Sequence, residues 1–216
     1  MPLDGIVPPV LVAGAAALLS WAGRRYIHSG KSAWTRDVVI VLAIVGLTAM
    51  LELAMGRSPV YMHGPMRLWV GDVNSDQNSQ QVADPYTFSH VIHGAIFYGL
   101  THLAMGPASM GARVIVAVTI EGAWEAYENT DTVINRYRAA TIALGYYGDS
   151  ILNSMSDIVA CVIGFVLASR WRWWWTVSWV VATEIVLAIT IRDNLTLNVL
   201  MLIHPIDAIR KWQMGA

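Results

Sequence analysis

Apolar runs long enough to cross a bilayer recur along this chain, separated by short polar segments. A helix rises 1.5 Å per residue, so about 20 apolar residues cover the ~30 Å hydrocarbon core. The runs are Ile6–Ala22 (with Pro8-Pro9 in its first turn, where a missing N–H costs least), Val38–Met55, His90–Met105, Val114–Asn129, Asp149–Ser169 and Trp173–Ile191. A seventh candidate, Leu195–Trp212, is interrupted at Pro205 and would either cap the bundle or re-enter it. The pattern predicts an all-α fold: a polytopic membrane helix bundle of about six transmembrane helices, with a seventh C-terminal helix as a further candidate.

Composition agrees. The chain is 56% hydrophobic and 13% charged, with a mean hydropathy of +0.49, whereas ordinary soluble domains carry about 25% charged residues. Residues 1–216 read as one integral membrane domain. A formal net charge of −1 argues against a nucleic-acid partner, and nothing in the sequence names a protein partner. The single cysteine, Cys161, excludes an intrachain disulfide. Arg24, Arg25, Lys31 and Arg36 form the densest basic cluster beside any run, which the positive-inside rule assigns to the cytoplasm. The polar stretch Gly56–Ser89 then lies outside. Trp171–Trp175, flanked by Arg170 and Arg172, reads as an interfacial aromatic belt on the cytoplasmic side.

Against this background the ionisable residues stand out. Glu121, Glu125 and Glu128 fall at i, i+4 and i+7, one stripe of a helix; Asp149, Asn153 and Asp157 form a second stripe. His90 and His93, at i and i+3, open a helix for which Ser89 is the expected N-cap. Intramembrane carboxylates are expensive and need partners or water. Because helix direction alternates, Glu52, Arg57, His90, His93, Glu125, Glu128, Asn129, Asp149, Ser150, Asn153 and Arg192 are expected in one layer. Three arrangements would balance the charge. A divalent metal could be held by imidazoles and carboxylates; Arg136 and Arg138 could fold back onto the glutamates; or protonated carboxyls could form an ion or proton path. HExxH, paired E-x-x-H and nucleophile-elbow motifs are absent. Asp72–Asn78 (DVNSDQN) spaces oxygens as a calcium loop does. It lacks the required Gly and Glu, where Gln77 and Ala83 stand, so it reads as a solvated polar loop.

WEAYENT, NRYR and GDSILNSMSD, with WVGDVNSD and SHVIHG upstream, resemble a family of conserved bacterial inner-membrane proteins of unknown function. That likeness covers most of the chain beyond about residue 35 and implies a bacterial inner-membrane, multi-pass location, but no activity. More distantly, the order Glu125, Arg138, Asp149, Asn153, Gly164 is similar to VanZ-like membrane proteins. Taken together, the residues point to chemistry or binding on a lipid or lipid-linked molecule near the outer face. The expected metal ligands are His90, His93, Glu125, Glu128 and Asp149, and the acid/base groups Glu125, Asp149 and Asp157. Arg136, Arg138 and Asn153 would hold the substrate. The alternative is a non-enzymatic role, as an ion or proton pathway or as an assembly protein with buried ion pairs.

Overall fold

A computed structural model describes residues 34–141 and 145–215. Among them are eight helices and no strand: α1 (Trp34–Ala54), α2 (Thr87–Ala104), α3 (Met110–Glu128), α4 (Asp131–Ala140), α5 (Ile151–Arg170), α6 (Trp173–Thr190), α7 (Leu195–Ile203) and α8 (Asp207–Met214). The all-helical expectation holds. Three helices, α1, α5 and α6, are long and apolar enough to cross a membrane. The run Ile6–Ala22 and the basic residues Arg24, Arg25 and Lys31 lie outside the described residues.

Burial in α1 is inverted relative to a water-soluble helix. Its buried residues are Asp37, Thr48 and Glu52, whereas Leu42, Leu47, Met50 and Leu53 are exposed. Such an exposed apolar face needs an apolar surrounding. On α6 only Leu187 is buried, and Val177, Val181, Ile185 and Ile189 face outward.

Local chemistry sets the helix starts. Ser109, Thr130, Ser150 and Asn194 cap α3, α4, α5 and α7, each side chain accepting a backbone N–H from the first turn. Ser89 does not cap α2, which starts earlier, at Thr87. Asp84 accepts the Tyr86 N–H at 2.8 Å, and Thr87 Oγ1 accepts the Asp84 N–H at 3.2 Å, so the turn at Asp84-Pro85 launches the helix instead. The polar stretch after α1 supplies the remaining caps for α5: Ile151 N–H donates to Ser58 O (2.9 Å) and Leu152 N–H to Pro59 O (3.1 Å). Asn153 Nδ2 donates to Gln81 O and Gln80 Nε2 to Gly148 O. The stretch is thereby a fixed lid over the α5 terminus.

The C-terminal candidate resolves into two helices, α7 and α8, broken at Pro205. Glu184, six residues before the end of α6, accepts the N–H groups of Leu195 (3.0 Å) and Thr196 (2.9 Å). The chain therefore folds back about 9 Å along α6 before α7 begins. At nine residues α7 is ~14 Å long, too short to span.

The widest helix interface joins α2 to α5, and glycine makes it possible. A Cβ on Gly94 would collide with the Cys161 carbonyl, and one on Gly164 with the Val91 carbonyl. Backbone meets backbone at both points, as small residues allow between membrane helices. Gly94→Leu should therefore prevent stable packing. We expect loss of the monodisperse, cooperatively melting species in detergent, while Gly99→Leu, where a Cβ meets nothing, should leave the melting temperature within a few degrees of wild type.

Candidate functional site

That contact fixes how α2 presents its histidines. His93 lies six residues into α2, about 9 Å along the axis, and Glu121 lies seven residues before the end of antiparallel α3, about 10 Å. The two depths match. His90 Nδ1 is 2.6 Å from Glu121 Oε1, and His93 Nδ1 is 3.1 and 3.0 Å from Glu121 Oε1 and Oε2. The three residues bring one ligand atom each within 4.8 Å of one another. Glu125 Oε1 is 3.2 Å from His90 Nδ1, and Asp157 Oδ2 on α5 is 3.8 Å from His90 Nε2. Neither contact is an aligned hydrogen bond. Both Glu125 oxygens and Asp157 Oδ1 are buried with no hydrogen-bond partner among the described residues.

A cavity of about 70 Å³ opens beside this cluster, lined in part by His90, His93, Glu128, Asp149, Asn153 and Asp157. It has room for an ion and a few waters, not for a headgroup. Asp149 lines it and is tied to Asn129: Asn129 Nδ2 donates to Asp149 Oδ2 (3.3 Å), and the Asp149 N–H donates to Asn129 Oδ1 (2.7 Å). Tyr146 donates its hydroxyl to Asp149 Oδ1 at 3.0 Å. Burial, followed by the nearby Glu128 and Asp157 charges, pushes the Asp149 carboxyl well above the usual range.

Of the expected site residues, the structure brings His90, His93, Glu125 and Asp157 into contact. Glu128, Asp149 and Asn153 line the same cavity without joining the three-residue ligand cluster. Arg136 and Arg138 stay outside. Both are exposed on α4, where Arg136 Nε donates to Leu202 O (2.9 Å) and Arg138 Nε to Tyr146 O. Pairing with the glutamates, one of the three arrangements that would balance the charge, is not formed among the described residues. The reason is geometric: α4 is a separate helix whose buried face is Val133, Ile134, Tyr137 and Ala140. In the calcium-like stretch, Asp72 accepts the Asn74 N–H and Asp76 the Tyr61 hydroxyl, as in an ordinary structured turn.

Sequence reasoning passed over Glu121 as a ligand, and Asp84, Tyr86, Tyr137, Asp193 and Asn198 as cavity wall. The depth match just described would have found Glu121. Asp84 is held by its own turn, through Ser79, Tyr86 and Thr87. The remaining four are positioned by long-range contacts that no local pattern signals: Tyr137 donates to Asn198 Oδ1 (3.0 Å) and Tyr86 to Asp193 Oδ2 (3.1 Å).

Fold and site together define a class: an all-helical protein with helices able to cross a membrane and a buried His/Glu cluster between them. The chain belongs to the family described as Protein of unknown function (DUF2585), whose model matches residues 52–215. It is 49% identical to a UPF0314 protein of Sphingopyxis alaskensis over 177 residues, covering 82% of this chain and 94% of that one. It is also 49% identical to a UPF0314 protein of Paracoccus denitrificans over 191 residues, covering 88% and 96%. A UPF0314 protein of Rhizobium meliloti is likewise 49% identical, over 174 residues covering 81% and 88%. No solved structure matches the chain. The likeness to VanZ-like proteins gains nothing from these matches.

Asp193 allows the cavity wall to be tested by pH. Burial raises its carboxyl from 3.8 to about 6, although it accepts the N–H of Asn194 and the Tyr86 hydroxyl. Between pH 4 and 6 the folded state holds a proton that the unfolded chain has released, so stability falls as pH rises through that window. Thermal melts across it should show Asp193→Asn removing about 2–3 kcal/mol of that decline. An unchanged slope would mean that Asp193 titrates normally.

Proposed function

We propose that the protein is a multi-pass protein of the bacterial inner membrane whose buried cluster binds a divalent metal near the outer face. In this reading α2 and α3, 18 and 19 residues long, also span, their polar residues turned toward one another and toward α5. The observation that carries it is the convergence of His90, His93 and Glu121 beside buried Glu125, whose oxygens have no hydrogen-bond partner among the described residues. A mixed imidazole–carboxylate set suits zinc, manganese or iron, whose ligand distances of ~2.0–2.2 Å the cluster reaches with small side-chain shifts.

Such a centre would polarise an ester or phosphate oxygen of a lipid or lipid-linked molecule. Glu125 or Asp157, both within 4 Å of His90, would take the proton from an attacking water. Glu128, Asp149 and Asn153 would line the approach. An ion or proton path through the bundle is less well supported. Glu184 is occupied as the cap of α7, and His102 lies at the far end of α2 against Arg113.

Elemental analysis of detergent-purified protein tests the reading. Wild type and His102→Ala should carry about one metal per chain, while His93→Ala and Glu121→Gln, monodisperse and folded, should fall about tenfold or more, at least the loss that removing an outer-shell partner brings. Equal, background metal in all four would make the cluster an ion-pair network that fixes helix packing.

A further inference from the structure

A second concavity meets the acid cavity from the side. It runs between α4 and α7, has a volume of about 630 Å³, and is walled chiefly by Tyr127, Val133, Val199, Leu202 and Ile203. That volume falls in the range of small-molecule sites. Trp124 and Val199 line both spaces, and the Trp124 ring stands edge-on to His93 with centroids 6.3 Å apart. The groove therefore ends one side chain away from the proposed metal ligands.

Its polar features are confined to one wall. Arg136 lies there, its Nε held by Leu202 O, and its two terminal nitrogens have no protein partner among the described residues. Thr132 and Asn135 flank it. The other wall, α7, is the short helix that begins partway down α6 and cannot cross the bilayer alone. In the membrane reading, the groove thus opens sideways at a depth where acyl chains are the surrounding solvent. An apolar slot with a single cation at its rim is complementary to an anionic amphiphile.

We propose that the α4–α7 groove binds the acyl chain of one anionic membrane phospholipid, with its phosphate on Arg136 and its ester region against Trp124 and His93. The inference rests on the metal-centre reading for its purpose but not for its geometry. The acid cavity is too small to admit a headgroup, so a lipid would present only the bond nearest Trp124. This gives Arg136 the anion-holding role expected from the sequence, at the groove rather than inside the cavity. Arg138, bonded to Tyr146 O, does not line the groove.

The test uses the full chain in proteoliposomes containing phosphatidylglycerol with a photoreactive diazirine on one acyl chain, labelled sites being mapped by mass spectrometry. Label should concentrate on Trp124, Val199 and Ile203 above the level on Leu42 and Met50 of the exposed α1 face. Leu202→Trp, which fills the slot, should reduce groove labelling about tenfold, the effect of losing ~1.4 kcal/mol of binding, without changing metal content. Arg136→Gln, in protein that melts as wild type does, should abolish any preference for phosphatidylglycerol over phosphatidylcholine. Groove labelling no denser than on α1, or insensitive to both variants, overturns the lipid site. Groove labelling in protein that carries no metal keeps the lipid site and overturns the metal centre instead.

Discussion

Everything else in the structure is arranged around an imidazole held among acids. His90 stands within 4 Å of Glu121, Glu125 and Asp157, carboxylates contributed by two other helices. With Glu52, Glu128 and Asp149 also in the interior, carboxylates outnumber the two imidazoles. Isolated charges of this kind are unaffordable in a low-dielectric interior, so something must neutralise them. The sequence offered guanidinium groups for the task, yet Arg136 and Arg138 face outward and bond to backbone carbonyls. Arg57 is likewise turned to the Tyr147 carbonyl and Asp131, so a bound cation, protonated carboxyls or imidazolium–carboxylate pairs are what is left.

The glycine contact between α2 and α5 makes this concentration of charge geometrically possible. Closing α2 onto α5 at Gly94 and Gly164 brings His90 and Asp157 from opposite helices onto one site. Around it the polar groups form successive ties, Asn129 to Asp149, Tyr146 to Asp149 and Tyr86 to Asp193, which order the wall of the cavity. The exposed faces of α1 and α6 are apolar, while Ile92, Ile115, Ile158 and Phe165 pack inside. The buried polar cluster and the exposed apolar faces of these helices suit a membrane environment.

Much of this was legible in the sequence, for local reasons. Helical spacing places Glu121, Glu125 and Glu128 on one stripe, and alternating helix direction puts His90, His93 and Glu125 in one layer. Asp157, read as an acid/base group but not placed in that layer, reaches His90 from α5 at 3.8 Å. Glu121 was missed as a ligand because helix ends were aligned while His93, a turn and a half into α2, was not carried to its matching depth on α3. The fold-back of α7 was illegible for a different reason. It depends on Glu184 capping residues 195 and 196, and a carboxylate inside an apolar run looks the same whether it caps a distant helix or lines a path. Ser89 had the right chemistry for a cap, but the Asp84–Thr87 turn started the helix first.

In the proposed reading His90, His93 and Glu121 hold a metal. X-ray absorption spectroscopy at the edge of the co-purifying metal tests it most directly. A metal held by two imidazoles and Glu121 would show a first shell of nitrogen and oxygen at about 2.0–2.2 Å, with outer-shell scattering from two imidazoles. A first shell of oxygen alone, or outer-shell scattering without imidazole, would contradict it.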